Sequence, residues 1–159
     1  MASLFDTLQL GSLTLPNRLI MAPMTRSRAG DDGVPSDLMA TYYGQRASAG
    51  LIISEATYIS PSAKGYSRIP GLHSAEQVAG WKKVTDAVHA KGGRILLQLW
   101  HGGRACHSLL NNGAQPVAPS PLRIENDETH TPQGKKPYEV PRELRDDELH
   151  GIVAGFRHA

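Results

Sequence analysis

Three short apolar runs alternate with two helical patterns, and each run turns polar at its C-terminal end. The runs fall at about residues 18–23, 51–56 and 94–99. Leu19-Ile20-Met21-Ala22 is stopped by Pro23 and leads into Met24-Thr25-Arg26. Leu51-Ile52-Ile53 leads into Ser54-Glu55-Ala56-Thr57, and the third run passes from Ile95 through Gln98 into Trp100-His101-Gly102-Gly103-Arg104. Apolar runs this short, bounded by Gly and Pro, read as buried strands rather than surface helices. Between the first two, Ser36 is placed to cap a helix whose apolar positions are Leu38, Met39, Tyr42, Tyr43 and Ala47, reaching toward Gly50. Between the second and third, Ser74 and Gln77 form a capping-box pair ahead of Val78, Trp81, Val84, Thr85 and Val88, and Lys91-Gly92-Gly93 ends the pattern. A β-α-β-α-β alternation predicts an α/β fold with a parallel sheet and ligands at the C-terminal strand ends. The three polar segments all lie at those ends.

Alternation places Leu96, Gln98 and Trp100 on one face of the third strand and Ile95, Leu97 and Leu99 on the other. The second face is wholly aliphatic and suits packing under helices. The first face changes from Leu to an amide to an indole. A buried amide needs partners for its carbonyl and its NH2, so Gln98 is either satisfied by backbone or faces something planar and polar.

Ahead of the alternation, Leu8-Gln9-Leu10 and Leu13-Thr14-Leu15 flank Gly11-Ser12 and read as a hairpin over about residues 7–15. After it, residues 101–145 carry six prolines and little periodicity, which favours a lid over the strand ends. Asp146-Asp147-Glu148 then opens a helix with Leu149, Ile152, Val153 and Phe156 on one stripe. No Gly or Pro stop follows before Ala159, so the pattern reads as cut.

A formal charge of +2 without a Lys/Arg run argues against nucleic acid. The opening residues lack a signal-peptide pattern, and no segment has the roughly 20 apolar residues of a membrane span. Cys106 is the single cysteine, which suits a reducing, cytoplasmic setting. His101, Cys106 and His107 lie close in sequence but lack a fourth ligand at convincing spacing, so no metal is expected.

Ala22-Pro23-Met24-Thr25-Arg26, Tyr42-Tyr43 with Gln45-Arg46-Ala47, Ser54-Glu55-Ala56-Thr57, Gly65-Tyr66, Pro70-Gly71 and Gln98 to Arg104 together closely resemble the Old Yellow Enzyme family of FMN-dependent ene-reductases. The family fold is a (β/α)8 TIM barrel, typically about 250 residues, with a hairpin closing its bottom. The resemblance covers the N-terminal part of such an enzyme: one FMN-binding barrel domain of which residues 1–159 supply the hairpin and the first three of eight β/α units.

The resemblance implies that Gln98 binds the pyrimidine edge of FMN and that the Thr25 hydroxyl meets the flavin near its C4 carbonyl. It implies that Pro23, Met24 and Ala56 line the ring, that Tyr66 and Trp100 shape the substrate pocket, and that Arg104 is structural, pairing with a carboxylate. It implies hydride transfer from NADPH or NADH to FMN and then to the β-carbon of an activated alkene such as an enone. The family's activating His/Asn pair and proton-donating Tyr follow later strands, so no catalytic residue is assigned here. Taken singly, Thr25 reads as a turn residue, Tyr66 as a loop aromatic and Trp100 as core. The chain is expected to be inactive alone and to need the complementary C-terminal portion or to self-associate. The competing readings are a non-catalytic fragment that assembles with another chain and a small α/β binding protein.

Overall fold

The computed structural model describes residues 2–159. Strands β1 (Leu8–Leu10) and β2 (Leu13–Leu15) pair antiparallel across Gly11, whose φ of +56° supplies the tight turn. Three strands then form a parallel sheet in chain order: β3 (Ile20–Met21), β4 (Leu51–Tyr58) and β5 (Ile95–Trp100). Between them run helices α1 (Asp37–Gly44) and α2 (Ala75–His89). β3 is shorter than the apolar run around it because only Ile20 and Met21 pair with the neighbouring strand. α1 also ends earlier than its pattern. It stops at Gly44, whose missing side chain lets the backbone approach the Ala87 carbonyl of α2, and residues 45–50 turn back toward β4.

Both helices start where serine caps them. Ser36 Oγ accepts the Met39 N–H, and Ser74 Oγ accepts the Gln77 N–H. Gln77 does not complete the reciprocal box: its Oε1 accepts from His73 N, one residue before the cap. The helices cover one face of the sheet. Met39 and Tyr43 of α1 and Trp81, Val84 and Val88 of α2 pack with Ile52, and Met21, Ile95 and Leu97 border them. The opposite face is open, with Ile20 46% and Leu96 49% exposed. A parallel sheet normally buries both faces, so the open face is the one left for a further layer to cover.

β4 carries an irregularity that its sequence does not announce. Ile53 pairs with Leu96 and Ala56 with Gln98, so three steps on β4 match two on β5. The extra residue lies at Ser54–Glu55, and the Ser54 hydroxyl accepts the Gln98 N–H at 3.1 Å, closing the gap in the ladder. A bulge of this kind shifts the alternation by one and re-aims side chains. Ala56 thereby joins Gln98 on the open face, while Glu55 turns to Tyr43 in the helix layer.

Residues 101–145 are more ordered than their composition suggests. They contain 3-10 turns at Gly103–Ala105 and Ser108–Leu110, then β6 (Val117–Ala118), a hairpin of β7 (Glu128–Thr131) and β8 (Gly134–Pro137), and β9 (Arg142–Glu143) parallel to β6. Glu139 ties the later part to the earlier, accepting from Ser108 N at 2.6 Å and Ser108 Oγ at 2.7 Å. His107 Nδ1 stands 3.7 Å from the same carboxylate and accepts the Leu109 N–H at 3.2 Å.

Helix α3 (Asp146–His158) follows β9 and is fastened to it by a bidentate pair, Arg142 Nη1 and Nη2 each 2.8 Å from a Glu148 oxygen. The guanidinium and the Arg145 N–H hold the Glu148 carboxyl down to about 2. A folded-state value below the ordinary one means that the attachment is fully present above the usual carboxylate range and is lost as pH falls toward 2. Arg142→Gln in the complete protein should therefore raise the Glu148 titration toward the ordinary value, read by NMR. An unmoved titration would assign the effect to the helix start instead.

Candidate functional site

The C-terminal ends of β3, β4 and β5 bring together residues far apart in sequence. Segment 23–26 leaves β3 as irregular chain with Met24, Thr25 and Arg26 exposed and Pro23 half-buried. Its link to β4 is the Arg26 N–H, which donates to Glu55 Oε2 at 3.3 Å. Ala56 follows Glu55 and stands beside Gln98 across the β4–β5 ladder. Ala56 and Gln98 thus sit side by side, and the Arg26–Glu55 bond brings the segment that carries Thr25 to the same strand end.

Gln98 is half-buried, its backbone N–H is taken by Ser54, and its side-chain amide makes no hydrogen bond among the described residues. The reading of Gln98 as a core amide satisfied by backbone is therefore not what the fold provides. An amide presenting a donor and an acceptor side by side fits a flat heterocycle with alternating carbonyl and N–H groups. Ala56 leaves room beside it, since its side chain is a single methyl group.

Beyond Gln98, Trp100 and Tyr66 stack with ring centroids 5.6 Å apart and planes within 5°. Gly65 permits this, because a Cβ there would collide with the Trp100 ring. Tyr66 stays 38% exposed. An aromatic wall next to a polar amide suits a planar, partly apolar ligand.

Among the described residues Arg104 meets no carboxylate; its Nη1 reaches the Leu122 carbonyl at 3.5 Å. Cys106 is buried, which pushes its thiol up to about 11. His101 Nδ1 accepts the Gly103 N–H, so its proton sits on Nε2, and burial lowers its pKa. Among the described residues no group of three or more His, Cys, Asp or Glu could hold a metal ion, and no helix is long and apolar enough to cross a membrane.

Glu55 was visible in the sequence as a lone carboxylate inside an apolar strand, yet nothing in its spacing assigned it a task. It is fully buried. Its Oε1 accepts from Tyr43 Oη at 3.3 Å, and Tyr43 Oη accepts the Glu55 N–H at 2.8 Å. Burial pushes its pKa up, while the N–H groups of Arg26 and Ser27 and the Tyr43 phenol pull it back.

The model of the NADH:flavin oxidoreductase / NADH oxidase family matches residues 3–159. The structure of morphinone reductase in complex with tetrahydroNAD is 57% identical with a TM-score of 0.94, over 99% of this chain and 45% of that one. The old yellow enzyme homologue from Zymomonas mobilis is 50% identical with a TM-score of 0.95, over 99% of this chain and 44% of that one. A probable inactive reductase, easA of Epichloe festucae var. lolii, is 43% identical over 99% of this chain and 40% of its own length. The chain thus spans less than half the length of the relatives it matches. Its three parallel strands and their helices are the N-terminal part of a TIM barrel of that type.

Proposed function

Because the chain belongs to the NADH:flavin oxidoreductase / NADH oxidase family, we propose that it supplies one wall of the FMN site of an ene-reductase. When bound, FMN supplies the relay of hydride from NADPH or NADH to the β-carbon of an activated alkene such as an enone. The observation that carries this reading is the half-buried Gln98 amide, unpartnered and aimed from the open sheet face beside Ala56.

In this reading Gln98 holds the pyrimidine edge of the flavin with its paired donor and acceptor. The Thr25 hydroxyl donates near the C4 carbonyl, where negative charge gathers on reduction, and a donor there favours the reduced state. Pro23, Met24 and Ala56 line the ring without competing for its polar edge. Trp100 and Tyr66 form the aromatic wall against which the nicotinamide and then the alkene lie in turn. The nicotinamide fits the tetrahydroNAD held by morphinone reductase. The groups that polarise and protonate the alkene come from outside residues 1–159, and the barrel is completed by its C-terminal portion.

Gln98→Leu in the complete protein should weaken FMN binding by about 1–3 kcal/mol, because the buried flavin edge loses hydrogen bonds it had exchanged for water. Fluorescence titration of FMN into apo-protein measures this. An unchanged affinity would remove Gln98 from the site and leave the reading without its support.

A further inference from the structure

We propose that Glu55 is the positioning residue for Thr25, holding the Thr25–Arg26 peptide so that the threonine hydroxyl keeps its orientation toward the flavin. This rests on the reading of Thr25 given above. Residues 23–26 belong to no helix or strand, and they follow a strand of only two residues. The Thr25 hydroxyl makes no hydrogen bond among the described residues, which leaves the backbone as the part of Thr25 that its neighbours can fix. The Arg26 N–H lies in the peptide plane that begins at the Thr25 carbonyl, and it donates to Glu55 Oε2 at 3.3 Å. Fixing that plane fixes the rotation of the Thr25 backbone.

The turn needs such a restraint. Ser27 adopts φ of +52°, a left-handed conformation that is unfavourable for a non-glycine residue. Glu55 is itself held from behind, since Tyr43 Oη accepts its N–H and donates to Oε1, leaving Oε2 for the turn. The bulge at Ser54–Glu55 makes this possible: it turns Glu55 into the helix layer while keeping Ala56 on the open face. A wholly buried carboxylate is expensive unless hydrogen-bonded, and here its bonds go to the segment that bears Thr25 and to the phenol behind it.

The test is the midpoint potential of bound FMN in the complete holoprotein for wild type, Thr25→Ala, Glu55→Leu, Glu55→Gln and the Thr25→Ala/Glu55→Leu double variant. Glu55→Leu should lower the potential by the same amount as Thr25→Ala, and the double variant should fall no further. Glu55→Gln should stay near wild type, because its amide oxygen can still accept the Arg26 N–H. A carboxylate acting through its charge would do the opposite: both Glu55 substitutions would raise the potential and add to Thr25→Ala. A rise, an additive shift or no shift in Glu55→Leu overturns the proposal. If Thr25→Ala itself leaves the potential unchanged, the reading of Thr25 fails, and that failure is recognised from the single variant alone. Should Glu55→Leu not fold, Tyr43→Phe removes the support behind Glu55. It should lower the potential in wild type and leave it unmoved in the Thr25→Ala background; an unmoved potential in wild type also overturns the proposal.

Discussion

Expressed alone, residues 1–159 should aggregate or self-associate, carry no stoichiometric FMN and reduce no enone. The sheet has only three strands, so β3 and β5 each present an unpaired edge, and such edges invite pairing with other chains. Its inner face leaves Ile20 and Leu96 about half exposed, at 46% and 49%. Helix α3 has no buried residue, and Leu149, Val153 and Phe156 are 48%, 58% and 38% exposed. Fully burying a side chain of this size is worth about 1.5–3 kcal/mol. Several such terms missing together are comparable to the whole stability of a small domain. Co-expression with the remainder of a barrel should restore a soluble flavoprotein, since the complementary strands cover the same surfaces. Light scattering, the flavin absorbance spectrum and an enone assay on the purified polypeptide decide the matter. A monomer with one cooperative melt, bound FMN and turnover would show that these surfaces need no partner.

The strand–helix alternation was legible because each run is bounded by its own stop: Pro23 after the first, Gly50 before the second, Gly92-Gly93 before the third. The outward aliphatic face of β5 was legible for the same reason, since Ile95 and Leu97 alternate without interruption and do meet the helices. The bulge in β4 was not. Nothing in Leu51-Ile52-Ile53-Ser54-Glu55-Ala56 distinguishes a regular strand from one that slips by a residue, because the slip is set by the β5 partner and by Ser54 capturing the Gln98 N–H. The role of Glu55 depends on that slip and was hidden with it. The hairpin of β7 and β8 was missed because it is polar on both sides, Glu128 and His130 being exposed and Thr129 and Thr131 buried. Its pattern is carried by threonines rather than by apolar residues. The aromatic wall was legible only through resemblance, since the Trp100–Tyr66 stack joins positions 34 residues apart.

Gly33→Ala should be among the most damaging single-methyl additions in the chain, costing more than about 3 kcal/mol, whereas Gly92→Ala should cost only about 1–2 kcal/mol. Both glycines have positive φ, +76° and +74°, so both substitutions pay for left-handed backbone. They differ in what surrounds them. A Cβ on Gly92 meets nothing within 4 Å. A Cβ on Gly33 would overlap Tyr58 Oη, lie 2.7 Å from Tyr58 Cζ and 3.0 Å from Gln77 Nε2. Neither side chain can retreat, because Tyr58 and Gln77 are 3% and 2% exposed. Both donate to the Asp32 carbonyl, at 3.2 and 2.9 Å, and Gln77 Nε2 also donates to Tyr58 Oη at 3.2 Å. Moving Tyr58 breaks these bonds and strands polar atoms in the interior. The damage should reach the site, since the loop holding Gly33 continues from segment 23–26 and Gly33 also accepts the Gly71 N–H. Urea midpoints of the complete protein with saturating FMN, compared for the two variants and wild type, measure the difference, and flavin occupancy after gel filtration reads its effect on the site. Equal losses for the two variants would mean that Tyr58 and Gln77 yield freely and that loop 27–35 does not wedge the strand end in place.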